Sequence, residues 1–310
     1  MSLQFIMGNS GSGKSYCLYD TVVREAIENP DKNYLVIVPE QFTMQTQKDL
    51  CLAHPKGGIM NIDVLSFGRL AYRVFEEVGQ DARVVLDDEG KNLVLRKIAG
   101  ECEKDLKVFK GNLKKQGYIS EVKSVLSEFA QYGVDFERLD DFMKEVPPES
   151  YLHYKLDDIR TIYEKFEEYL SEKYITKEEM LDVLSDAVPY SDILKGSVVA
   201  MDGFTGFTPV QNRLIGELFS VCEKVMITVT MDGRENPYVY EHPYQIFALG
   251  KQMVTSLMKI AGEKKTEIEE PICLFERPVY RFRDCSEMAF LETELFRYSG
   301  AKYNGSCESV

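Results

Sequence analysis

Short apolar runs alternate with helix-patterned segments along the chain, and the alternation sets the expected fold. Leu3–Met7, Tyr34–Val38, residues 62–67, Val198–Met201 and Lys224–Thr230 are nearly unbroken apolar stretches of strand length. Such runs fit strands buried on both faces, as in a parallel sheet. Between them, Tyr16–Ala26, Thr43–Leu52, Gly68–Val78 and Pro209–Phe219 carry apolar residues at helical spacing. Pro39 closes the second run, and Pro209 stands in the first turn of its helix, where its missing N–H does no harm. A further helix is predicted over Tyr244–Ile260, followed by the acidic loop "GEKKTEIEE" and a last helical segment, "SEMAFLETELFRYSG". Strand and helix in turn predict a doubly wound α/β architecture.

From Asp87 to Ala187 the pattern changes. "DDEGKNLVLRKIAGECEKDL", "SEVKSVLSEFAQYG" and "YLHYKLDDIRTIYEKFEEYLSEKY" are amphipathic at helical period, with breaks at Gly111, Gly133 and Pro147-Pro148. Strand signal is nearly absent, so the stretch reads as an all-helical insertion into the α/β sheet. Lys104, Lys107, Lys110, Lys114 and Lys115 fall within it. Two readings of them stay open: a solvated helix face, or a patch that contacts phosphates.

Composition narrows the function classes. The 310 residues are 44% hydrophobic, enough for two domain cores. A net charge of −14 argues against a general nucleic-acid binder, so any DNA contact needs a local groove or a partner. The 7 cysteines, the last at Cys307, form no C-x-x-C pair, and the 3 histidines stand far apart. That spacing fits reduced cytoplasmic thiols rather than a disulfide frame or a zinc site. No apolar run approaches membrane-spanning length, and the first strand lacks the flanks of a signal peptide.

The chemistry concentrates after the first strand. Gly8-Asn9-Ser10-Gly11-Ser12-Gly13-Lys14-Ser15 matches the P-loop pattern G-x-x-x-x-G-K-[ST]. Glycines let successive N–H groups turn inward on phosphate oxygens, at the start of a helix whose dipole favours anions. Lys14 is expected to reach the β- and γ-phosphates of ATP, and the Ser15 hydroxyl to enter the Mg²⁺ shell. A dinucleotide fingerprint is excluded, because it needs glycine where the chain has Tyr16.

A P-loop ATPase also needs an acidic residue at the end of a neighbouring strand. Asp202, in "VVAMDGFTGFTPVQ", stands in that context. An ordinary turn after a strand is the other reading of the same residues. Hydrolysing motors follow the aspartate with a glutamate that orients water; here the next residue is Gly203, and no acidic residue follows before Glu217. The expectation is a site that holds Mg-ATP and turns it over slowly or not at all, since losing an acid–base group slows chemistry by roughly 10²–10⁴. The catalytic residue is therefore left unassigned.

"GNSGSGKS", "VPEQFTMQTQ", "VLSFGRLAYRVFEEVG" and "MDGFTGFTPVQNRLIGEL" together resemble the N-terminal region of the AddB (RexB) subunits of bacterial AddAB helicase–nucleases. The likeness runs from residue 3 to about 80 and again from about 150 to 230; the helical middle carries no motif. The resemblance implies a P-loop RecA-like, superfamily 1 helicase-like fold. Its expected division is a discontinuous RecA-like domain over 1–86 and 188–283, a helical insertion domain over 87–187, and a helical lead over 284–310 into a second RecA-like domain. It further implies a role in double-strand-break repair by homologous recombination, an AddA-like motor as partner in a heterodimer, and scanning of single-stranded DNA for the Chi sequence.

By the same resemblance "MDGFTGFTPVQ" is a decayed helicase motif that keeps Asp202, replaces glutamate by Gly203 and closes on Gln211. The implied DNA-contacting residues are Gln41, Thr43, Phe67, Arg69, Tyr72 and Phe207. Aromatic rings stack on unpaired bases, and Gln, Thr and Arg bond base edges or phosphates. Plain core packing is the other reading of the aromatics. Relatives carry a nuclease domain and an iron–sulfur cluster beyond the region matched here, so the expectation is a truncated chain with no nuclease site and no cluster-ligating cysteine. A free-standing P-loop small-molecule kinase and a nucleotide-independent interaction module remain as alternatives.

Overall fold

The computed structural model describes residues 1–79, 83–113, 115–170, 173–295, 297 and 299–306. Lys114 and Cys307, both named above, lie outside this set. In chain order the elements are β1 (Ser2–Gly8), α1 (Lys14–Glu28), β2 (Tyr34–Ile37), α2 (Thr43–Ala53), β3 (Ile62–Leu65) and α3 (Phe67–Val78). Then come β4 (Val84–Leu86), α4 (Asp88–Cys102), α5 (Gln116–Tyr132), α6 (Phe136–Glu145), α7 (Tyr151–Leu170), β5 (Tyr174–Thr176) and α8 (Glu179–Ala187). The chain continues with β6 (Val198–Met201), α9 (Pro209–Val221), β7 (Lys224–Thr230), α10 (Ala248–Lys264), β8 (Glu267–Ile268), β9 (Ile272–Leu274) and α11 (Ser286–Glu294).

These elements fall into two compact units. The first comprises Met1–Leu70, Ser191–Phe207 and Ile215–Val310; the second comprises Ala71–Tyr190 and Thr208–Leu214.

The first unit is built on a sheet of order β3-β2-β6-β7-β1-β8, with β9 also pairing β1. Every pairing among its described strands is parallel. The α/β expectation therefore holds, and the strand ends carry the site. Register fixes the geometry: β1 and β7 align from Ser2↔Lys224 to Gly8↔Thr230, and β6 meets β7 up to Met201↔Ile227. Gly8 and Asp202 thus emerge at the same sheet end, where α/β folds place their ligands, with β7 between them. On one face, Ile6, Val36, Ala200 and Met226 pack with Leu18, Val22 and Val23 of α1 and Leu50 of α2. Burying each such aliphatic side chain stabilises by about 1.5–3 kcal/mol.

The second unit is mainly helical, with a core made by Leu95 and Ile98 of α4, Val122 and Leu126 of α5, Leu139 of α6, and Ile162 and Phe166 of α7. Two of its helix starts, α4 and α6, are capped by aspartate: Asp87 accepts from Gly90 N at 2.7 Å and Asp135 from Arg138 N at 2.9 Å. Gly133, in left-handed geometry, ends α5. Two expectations are corrected here. The insertion is not all-helical, because β5 pairs in parallel with β4 from Val84↔Tyr174 to Leu86↔Thr176. Strands of three residues are too short to show an alternation. Nor do the lysines at 104, 107 and 110 ride a helix, since α4 stops at Cys102 and α5 starts at Gln116. Buried Asp158 takes the backbone N–H groups of Lys107, Val108 and Phe109 at 2.8, 2.7 and 2.8 Å. One carboxylate thereby satisfies three amides that a helix would have bonded internally, and the segment stays irregular.

Two smaller shifts concern the first unit. The helix predicted from Tyr244 begins at Ala248 and runs to Lys264, and part of the acidic stretch after it forms β8 against β1.

Candidate functional site

Gly8–Ser15 forms the turn from β1 into α1. Met231 N donates to Gly8 O at 2.9 Å, which ties the turn to the end of β7. Lys14 folds back over the loop, its Nζ donating to Gly8 O at 3.1 Å and Asn9 O at 2.8 Å. Burial lowers the Lys14 ammonium to a pKa of about 8; Asp202 opposes that shift and Arg281 adds to it. A side-chain nitrogen, partly stripped of water and held on two carbonyls, is poised for a stronger acceptor. Two polar atoms of the loop, Asn9 Oδ1 and Ser12 Oγ, are buried without a hydrogen-bond partner. Buried polar groups are rarely left so, and a polar ligand would satisfy them. Ser15 lies on the exposed side of the turn.

Asp202 follows β6 and is buried. Thr228 Oγ1 donates to its Oδ1 at 2.6 Å and Tyr19 OH to its Oδ2 at 2.8 Å. The register Met201↔Ile227 is what brings Thr228 alongside. Gly203 adopts φ +79°, and a Cβ there would meet only Pro39 and Phe42, at 3.5 Å and beyond. Space therefore exists for a side chain; the left-handed backbone is what disfavours one.

A cation that the sequence did not single out stands at the loop. Arg281 N donates to Gly11 O at 3.0 Å, and a Cβ on Gly11 would lie 2.8 Å from the Arg281 Cβ. Only glycine, here at φ +82°, permits that approach. The Arg281 guanidinium forms no ion pair among the described residues. The signal was hard to find because the link runs through backbone. Beneath the loop, Asn9 Nδ2 donates to Glu292 Oε1 at 2.6 Å. Nearby, buried Asp232 binds Arg234, Arg277 and Arg297 at 2.7, 2.8 and 2.7 Å; against the penalty of burial, its bonds to Arg234 and Arg297 hold the carboxyl far below the ordinary range.

The candidate DNA residues differ in placement. Gln41 and Arg69 are exposed, whereas Thr43 is buried with its hydroxyl donating to Glu40 O at 3.0 Å. Phe67 is 8% exposed and packs with Phe207 and with Phe204, a ring that sequence reasoning missed. The Phe67–Phe204 and Phe204–Phe207 centroids are 5.4 and 5.2 Å apart. Tyr72 is 56% exposed. Gln211 caps α9, accepting from Thr208 N at 3.0 Å while its own N–H bonds Thr208 Oγ1 at 3.3 Å. No group of three or more His, Cys, Asp or Glu able to hold a metal occurs among the described residues, and no described helix is long and apolar enough to cross a membrane.

The model of the family described as "ADDB, N-terminal" matches residues 5–292. Among curated proteins, the chain is 44% identical over 302 residues to the B subunit of the ATP-dependent helicase/deoxyribonuclease of Lachnoclostridium phytofermentans, covering 96% of this chain and 26% of that protein. Identity is 34% to the corresponding protein of Clostridium acetobutylicum, over 96% of this chain and 25% of that one. It is 35% to that of a Thermoanaerobacter species, over 100% and 27%. The chain thus spans about a quarter of the length of the curated relatives it matches.

Proposed function

The chain belongs to the ADDB N-terminal family, and from that premise we propose that it is the helicase-like, ATP-binding part of a helicase–deoxyribonuclease subunit. In this reading the first unit is a RecA-like P-loop domain. The observation that carries it is the state of Lys14: partly desolvated, held on the Gly8 and Asn9 carbonyls, and facing both Asp202 and Arg281. Lys14 and Arg281 would bind the phosphates, and Ser15 and Asp202 would hold magnesium. The ion, when bound, supplies charge that neutralises the phosphate oxygens. Gly203 supplies no group to orient water, so binding outlasts turnover and the nucleotide acts as a bound switch.

The same reading gives the chain a place in double-strand-break repair and homologous recombination. It works in the cytoplasm with an AddA-like motor subunit and tests single-stranded DNA for a recombination signal. Exposed Gln41, Arg69 and Tyr72 are its contact residues, whereas Phe67 and Phe207 pack with each other. With a net charge of −14, DNA binding by this chain alone is weak and falls steeply with salt.

Calorimetric titration of Mg-ATP into the protein and into Lys14→Ala, with phosphate release followed in the same samples, tests the reading. Binding lost in the variant with negligible turnover supports it. Lys14-dependent turnover would show that some other group replaces the missing glutamate, and absence of binding would leave an interaction module. Phosphoryl transfer to a small acceptor would identify a kinase instead.

A further inference from the structure

We propose that Tyr19 is a positioning residue for Asp202, fixing the carboxylate for magnesium and linking it to α2. The inference rests on the nucleotide reading above and extends it to residues outside the motifs. Tyr19 stands four positions after Ser15 on α1, so both side chains project from one face of the helix. Ser15 ends that face at the loop mouth, and Tyr19 reaches beneath it to Asp202.

Counting protons orders the network. Asp202, as a carboxylate, only accepts; Oδ2 takes the Tyr19 phenol proton at 2.8 Å and Oδ1 the Thr228 proton at 2.6 Å. A phenol has one proton, so the 3.2 Å contact between Tyr19 OH and Thr46 Oγ1 must run from Thr46 to Tyr19. The relay is therefore directional: Thr46 of α2 to Tyr19 of α1 to Asp202 after β6. All four side chains are buried, so water does not substitute for a lost member.

Each Asp202 oxygen accepts one hydroxyl and retains a lone pair, and the two donors together fix the plane of the carboxylate. That fixed plane is what an ion or its bound water needs, because outer partners orient metal ligands and removing one weakens metal binding by roughly 10–100-fold. The relay begins on α2, which opens at Thr43, two residues after Gln41, so a shift of α2 would reorient Asp202 through Thr46 and Tyr19.

The test is calorimetry of ATP with excess Mg²⁺ and with EDTA, on the wild type, Tyr19→Phe, Thr46→Val and Asp202→Ala, with thermal melts confirming folding. Tyr19→Phe keeps the ring and removes the donor. Its ratio of Mg²⁺-supported to metal-free affinity should fall roughly tenfold toward that of Asp202→Ala, with metal-free affinity within about twofold of wild type. Thr46→Val should lower the ratio less, by about threefold, and carries the test if Tyr19→Phe does not fold. A ratio kept within about twofold in both variants overturns the proposal, as does an equal loss with and without metal, which would mark a purely structural role. No ATP binding by the wild type under either condition overturns the nucleotide reading, and the proposal with it.

Discussion

Glu167, on α7 of the helical unit, offers a prediction whose size follows from its surroundings. Burial first, then the neighbouring Glu179 carboxylate and the hydrogen bond between them, raises its pKa from 4.5 to about 7. Glu179 is committed elsewhere, its Oε2 accepting from Thr176 N at 2.8 Å and from Thr176 Oγ1 at 3.0 Å, so Glu167 is the member that keeps the proton. A folded pKa above the unfolded one means that the native state holds more protons between pH 4.5 and 7. Stability then falls as pH rises through that window. The full shift corresponds to about 3 kcal/mol. Glu167 is only partly buried, and solvent screening reduces the effect to about 1–2 kcal/mol.

Glu167→Gln removes the titration and keeps the shape. Near pH 4 it should match the wild type, and above pH 7 it should be more stable by about 1–2 kcal/mol. The chain has no tryptophan, so urea unfolding is followed by tyrosine fluorescence and far-UV circular dichroism at half-unit pH steps. Subtracting the two curves cancels every other titrating group. A difference that stays flat from pH 4 to 8, or a variant less stable at pH 7.5, would refute the argument. A Glu167→Gln, Glu179→Gln cycle should show the two substitutions to be strongly non-additive.

Further tests address the loops and the candidate interface. Asp158→Ala leaves three backbone amides without their acceptor, that of Phe109 buried, and should destabilise the helical unit by about 2–4 kcal/mol in urea unfolding, with Asp158→Asn milder. Gly203→Glu should cost about 1–2 kcal/mol through its left-handed backbone and yield no measurable phosphate release, since a restored carboxylate on a strained turn does not restore its aim. On the proposed reading, Tyr72→Ala should leave the melting temperature unchanged while weakening single-stranded DNA binding, in the proposed complex with an AddA-like subunit, by about 1–3 kcal/mol. Phe67→Ala should instead lower stability by about 3 kcal/mol, which separates a stacking ring from a packing one.

Much of the α/β unit was legible because its strands are apolar throughout. Tyr34–Val38 and Lys224–Thr230 can be buried on both faces only inside a covered parallel sheet, and the structure puts both there. The turn from β1 into α1 over Gly8–Ser15 was legible because its glycines and lysine are contiguous. What escaped was whatever depended on distant backbone or on very short elements. Three-residue β4 and β5 present no periodicity, and two-residue β8 is defined by pairing with Ser2 and Leu3. The lysines at 104, 107 and 110 mimic a helix face; only a carboxylate some fifty positions on, at Asp158, shows why no helix forms. Tyr19 looked like an ordinary helix residue until the sheet register brought Asp202 to it. Arg281 gave no local sign, because its attachment to Gly11 passes through main-chain atoms.

The strand order also bears on how the molecule assembles. β1 lies among β7, β8 and β9, and its nearest partner along the chain begins at Lys224. Closing a loop of that length costs about 5 kcal/mol of chain entropy before the first pairing repays any of it. During synthesis, the apolar residues Leu3, Phe5, Ile6 and Met7 must therefore wait unpaired while the helical unit and β6 are made. The helical core, from Val94 to Leu170, depends on no residue that arrives so late. Folding should proceed from the inserted unit outward, with the Gly8–Ser15 turn taking shape only when β7 docks beside β1. On the proposed nucleotide reading, ATP binding by a nascent chain would then report completion of the sheet, and the long-unpaired β1 is where a chaperone would have most to hold.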